Sequence, residues 1–93
     1  MKRYPTNDEL NRIKNWEFVD PIGLIDFIEP IFEEYGTVRL TGKHVKKLYL
    51  ATGGWSGNED IISAMQDNIM FWSLYWVKSE RGGAFTFKIR KLK

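Results

Sequence analysis

The sequence predicts an α+β domain of order α-α-β-β-α-β-β, with a mainly antiparallel four-stranded sheet packed against helices. Three observations carry this. The first third places apolar residues at three- and four-residue spacing behind helix-capping signals. The stretches after Gly36 and after Gly83 change to alternation at a period of two. Between the two alternating regions lie a glycine-rich turn and another helical stretch. The 93 residues suffice for one domain spanning 1–93 with one modest core.

Thr6-Asn7-Asp8-Glu9 has the form of a capping box, in which the Thr6 hydroxyl accepts an N–H and Glu9 reaches back. The helix it opens carries Leu10, Ile13 and Trp16 on a narrow stripe and ends near Asn15 or Trp16. Asp20-Pro21 starts a second helix, with Asp20 as N-cap and Pro21 in the first turn. Its broad stripe is Leu24, Ile25, Ile28, Ile31, Phe32 and Tyr35. Pro30 removes one bond of this helix and predicts a kink or break, and Gly36 is a natural stop.

Thr37–Thr41 then alternates, with Val38 and Leu40 inward and Arg39 outward. Gly42-Lys43 suits a tight hairpin turn, and His44–Thr52 alternates again with Leu48 and Leu50 inward. The stretch from Asn58 to Asp67 reads as helix through Ile61, Ile62, Met65 and Ile69. Ile69–Val77 is apolar on both faces, the pattern of a covered central strand. Lys78–Gly83 is a turn cluster, and Ala84–Leu92 alternates with Phe85, Phe87 and Ile89 inward, leading to a basic end at Lys91-Leu92-Lys93. An intervening helix leaves the second and third strands either parallel neighbours or apart in the sheet.

Composition narrows the function classes. There is no cysteine, so disulfides and thiolate metal sites are excluded. The single His44 excludes a multi-histidine metal site within one chain, and no cofactor is indicated. The longest apolar run is too short to span a membrane, and the Met1-Lys2-Arg3-Tyr4-Pro5 start lacks the apolar stretch of a signal peptide. Residues 1–36 hold four cationic and eight acidic side chains, whereas residues 37–93 hold ten and four. The basic half either answers the acidic half or serves an anionic partner.

Thr52-Gly53-Gly54-Trp55-Ser56-Gly57-Asn58-Glu59 is the most distinctive stretch. A strand running through glycines into a helix start offers N–H donors and a favourable dipole end to an anion. It is neither a P-loop nor a dinucleotide fingerprint. In the architectural reading, Ser56 caps the helix with Glu59 at N3 and the glycines take positive φ. In the functional reading, Gly53, Gly54, Trp55, Ser56, Gly57, Asn58 and Glu59 bind a phosphate-bearing ligand, Trp55 stacks on a base, and Arg81 of the Arg81-Gly82-Gly83 turn adds a cation. A second candidate is a basic-aromatic sheet face of Arg39, Lys47, Tyr49, Lys88 and Arg90, with Tyr75 and Thr86 between them, suited to nucleic acid. Ser56 with His44 is the material for a hydrolase, but no orienting carboxylate is marked.

The octapeptide, together with Phe71-Trp72, Trp76, Ser79 and Arg81-Gly82-Gly83, resembles a family of small phage and prophage proteins of unknown function. Trp16, Asp20-Pro21 and Leu24-Ile25-Asp26-Phe27 extend the resemblance less specifically. Relatives in that family carry a histidine-tyrosine pair where this chain has Ala84-Phe85, which weakens an enzyme reading; the family has no assigned activity, so the resemblance brings no catalytic residue. It implies the cytoplasm of a bacterial host and a phage accessory role. The expectation is therefore a non-enzymatic accessory protein that binds a nucleotide or nucleic-acid phosphate through the loop. The alternatives are a protein-interaction module, such as an inhibitor of a host protein, using aromatics around Trp55, and a small hydrolase.

Overall fold

The computed structural model describes residues 4–32 and 36–90. The chain runs α1 (Asn7–Lys14), α2 (Pro21–Phe32), β1 (Thr37–Thr41), β2 (Lys46–Ala51), α3 (Ser56–Asp67), α4 (Ile69–Tyr75), β3 (Trp76–Glu80) and β4 (Ala84–Ile89). The four strands form one antiparallel sheet in the order β1-β2-β4-β3. The α+β class holds, with one more helix than the sequence pattern indicated. The second and third strands are not neighbours, because β4 lies between them.

Both expected early caps form. Thr6 Oγ1 accepts from Glu9 N–H at 3.1 Å while Glu9 Oε1 accepts from Thr6 N–H at 2.9 Å. Asp20 Oδ1 accepts from Gly23 N–H at 3.1 Å. α2 continues through the exposed Pro30 to Phe32, so the expected break does not interrupt the helix there. Gly36 N–H donates to Phe32 O, and a Cβ on Gly36 would run into Ala51 O. Glycine is needed here for close packing. The stripe position Tyr35 and the basic end Lys91-Leu92-Lys93 lie outside the described residues.

The β1–β2 hairpin corrects the predicted two-residue turn. Thr41 pairs with Lys47, so residues 42–45 form the loop and β2 begins at Lys46 rather than His44. The physical reason is register. A two-residue turn would set Val38 opposite Lys47, whereas the observed pairing sets Val38 opposite Leu50 and Leu40 opposite Leu48. A register that mixes the faces would expose core residues.

The segment Ile69–Val77 is the larger correction. It is helix through Tyr75 and becomes strand only at Trp76. Asn68 starts the helix: its Oδ1 accepts from Phe71 N–H at 3.2 Å, while its Nδ2 donates to Ile13 O and Trp16 O at 3.0 and 2.9 Å. Phe71 and Tyr75 then face the core one turn apart, with ring centroids at 5.0 Å. A run that is apolar on both sides satisfies a helix or a strand equally, so its period could not decide. Ile69, expected in the core, is 71% exposed because it opens the new helix.

All the helices lie on one side of the sheet. Leu48, Leu50, Phe87 and Ile89 project from that side into a single core with Ile13, Leu24, Ile28, Phe32, Ile61, Met65 and Phe71. α3 is central to the helical layer and packs on α1, α2 and α4. No helix among the described residues is long and apolar enough to cross a membrane.

Candidate functional site

The glycine loop is knotted into the fold through Thr52, which is 1% exposed. Thr52 N–H donates to Gly83 O at 3.0 Å, and Thr52 Oγ1 accepts from Gly54 N–H at 3.2 Å. Thr52 O accepts from Trp55 N–H at 3.4 Å and from Asn58 Nδ2 at 3.0 Å. Gly53 and Gly54 adopt φ of 67° and 78°, the left-handed region that glycine enters without steric cost.

The predicted α3 cap is displaced by one residue. Trp55, not Ser56, occupies the N-cap position, and it contributes no side-chain capping bond. Its carbonyl accepts from both Asn58 N–H and Glu59 N–H at 3.1 Å. Ser56 Oγ instead lies 2.9 Å from Tyr4 Oη. The half-buried Trp55 ring packs over Gly57, where a Cβ would collide with the indole, and meets the Tyr4 ring at 4.9 Å.

Asn58, expected to bind ligand, is wholly buried, and its amide donates to Phe32 O at 3.1 Å as well as to Thr52 O. It is a structural clamp between α2, the loop and α3. Its geometry withdraws it from any ligand contact. Gly53, Gly54, Ser56 and Glu59 are exposed, and Arg81 is exposed in the neighbouring turn. The Thr52–Gly83 bond brings the two glycine segments together, but the donors of Thr52, Gly54, Trp55, Asn58 and Glu59 all serve the fold. His44 and Ser56 sit at opposite ends of β2, whose length separates them by about 20 Å. They do not form a catalytic pair.

The opposite sheet surface is different in kind. No helix covers it. One cross-strand row reads Arg39, Tyr49, Thr86 and Lys78, and the next reads Thr41, Lys47 and Lys88. The first row spans three strand spacings, or about 14 Å, with a cation at each end. The Arg39 guanidinium lies over the Tyr49 ring at 5.9 Å. Lys47 and Lys88 are directly opposite one another and both exposed, and neither forms an ion pair among the described residues. Like charges directly opposite across strands repel. Beside them is a depression of about 320 Å³ that also reaches Thr86 and Val77.

The face therefore unites Arg39, Lys47, Tyr49, Thr86 and Lys88 as the alternation indicated. Two expected members are elsewhere. Tyr75 is on α4, buried, with its hydroxyl donating to Phe18 O at 2.7 Å. Arg90 follows the end of β4 and lines a separate cavity with Asp20, Pro21, Lys43 and His44. Lys78 is a further face cation that the sequence pattern hides: Lys78–Gly83 has the composition of a turn, and only with β3 at Trp76–Glu80 does Lys78 fall opposite Thr86. Lys78 lies 3.9 Å from Glu80, the one acid that shares this side of the strands among the described residues.

Comparison with family models, with curated proteins and with solved structures returned no match.

Proposed function

We propose that the protein is a non-enzymatic binder of single-stranded nucleic acid and that its open sheet face, rather than the glycine loop, receives the strand. The observation that carries this reading is the uncompensated Lys47–Lys88 pair. Its repulsion is relieved by an anion placed between the two ammonium groups, and a phosphate has the right charge and hydrogen-bonding capacity. Arg39 and Lys78 extend the positive surface to both edges of the sheet. Tyr49 supplies a half-buried ring at the middle, the element that adds sequence-tolerant stacking on a base to the phosphate contacts. The phage accessory setting rests on the octapeptide resemblance and fits such a binder.

The test is a titration of the full chain into fluorescently labelled single-stranded DNA and RNA at low salt, followed by anisotropy. Saturable binding that weakens steeply as salt is raised supports the reading. Absence of binding to both polymers at low salt contradicts it.

A further inference from the structure

We propose that β3 is the contact edge of a two-fold dimer, with a second copy of this chain as its occupant. Among the described residues, five of the ten exposed large hydrophobic side chains, Ile69, Met70, Leu74, Trp76 and Val77, fall on α4 and the start of β3, within residues 69–77. Such clustering marks an interaction surface, whereas apolar residues scattered singly do not. β3 is also an edge strand, exposed along its whole length, and its outer side has no partner strand among the described residues.

Charge selects the occupant and the register. Antiparallel pairing of β3 with its own copy, centred on Ser79, sets Lys78 opposite Glu80 of the other copy, and the reverse, giving two attractive cross-strand pairs. Centring on Lys78 opposes two lysines, and centring on Glu80 opposes two glutamates, so neighbouring registers are disfavoured. The other edge, β1, has the sequence Thr37-Val38-Arg39-Leu40-Thr41 and no acid to complement Arg39. The Val77 irregularity restricts regular pairing to the Lys78–Glu80 segment. The internal Lys78–Glu80 contact at 3.9 Å is solvent-exposed, and exchanging it for the intermolecular one costs little. A β3–β3 contact is isologous and closes on itself, whereas a β1–β3 contact would propagate into a filament. The two-fold arrangement keeps both helical layers on one side and makes one eight-stranded sheet, so it joins the two basic faces without depending on what they bind.

Sedimentation equilibrium of the full chain tests this directly. The expected result is a concentration-dependent species of twice the 11.0 kDa chain mass. Lys78→Glu weakens the dimer on the order of tenfold by turning two attractive pairs into repulsive ones, and Lys78→Glu with Glu80→Lys restores it. Circular dichroism of each variant confirms that the fold is intact. A chain that stays monomeric at every concentration overturns the proposal. So does a dimer unaffected by Lys78→Glu, or a β3 edge occupied only by a different protein.

Discussion

Thr52 and Gly83 interlock the two glycine segments. The Thr52 N–H donates to Gly83 O at 3.0 Å, and the Gly83 Cα lies so close to Thr52 Oγ1 that no Cβ fits between them. Gly82 next to it has a similar positive φ, 87° against 82°, but faces open space. Gly82→Ala therefore carries only backbone strain, about 1 kcal/mol, while Gly83→Ala adds a clash and reaches about 2–4 kcal/mol. Urea unfolding of the two variants side by side measures the difference.

Asn58 joins α2, the loop and α3 through one side chain. Removing its amide in Asn58→Ala leaves Phe32 O and Thr52 O without that donor and destabilises the fold by about 2–4 kcal/mol. Asn58→Asp is at least as damaging at neutral pH, since a buried carboxylate would face two carbonyl oxygens. Its stability recovers partly as the pH falls, because the protonated acid regains one donor. Denaturant midpoints at pH 4 and pH 7 check both statements.

Much of the fold is legible in the sequence, for local reasons. The Thr6–Glu9 and Asp20 caps act within one turn of chain, and the alternation in β2 and β4 marks Leu48, Leu50, Phe87 and Ile89 as core residues. It fails at two points: Leu40 of the edge strand β1, expected inward, is 37% exposed, and Thr86, expected outward, is buried. What was not legible depends on distant groups. Asn68 directly follows the helix that the pattern ends at Asp67, yet it also starts α4 and binds the carbonyls of Ile13 and Trp16, more than 50 residues away. Asn58 looked like a ligand residue because its partner Phe32 is remote in sequence. The sheet face was legible as a set of alternating residues. Its Lys47–Lys88 opposition required the β2–β4 pairing, which no local pattern specifies.

Tyr75 makes stability sensitive to alkali. Burial pushes its phenol above the ordinary value of 10.0, because ionisation would place a charge in the core. The unfolded chain loses this proton at lower pH than the folded one, so the contribution is complete below about pH 10 and is lost as the pH rises through the raised value. Tyr75→Phe abolishes this part of the alkaline loss. It also removes the bond to Phe18 O and lowers neutral-pH stability by about 1 kcal/mol. Thermal unfolding between pH 8 and pH 11 separates the two effects.

The half-buried Trp55 ring lies against Gly57 and Tyr4 at the start of α3. Trp55→Ala uncovers this helix end and lowers stability by about 1–3 kcal/mol. Its effect falls on the melting temperature and not on affinity for a strand held on the other side of the sheet. Differential scanning fluorimetry and oligonucleotide titration of the same preparation distinguish the two.

In the proposed binding mode, Lys47 and Lys88 contact phosphate on the open sheet face. The most direct measurement is the salt dependence of single-stranded oligonucleotide affinity for the wild type, for Lys47→Ala with Lys88→Ala, and for Arg81→Ala at the glycine turn. The double variant is expected to bind more weakly, with a plot of log K against log salt shallower by about 1.4, two phosphate contacts at about 0.7 each. Arg81→Ala keeps the wild-type slope. A double variant with the wild-type affinity and slope, alongside an Arg81→Ala variant that loses binding, would overturn this placement and return the site to the loop.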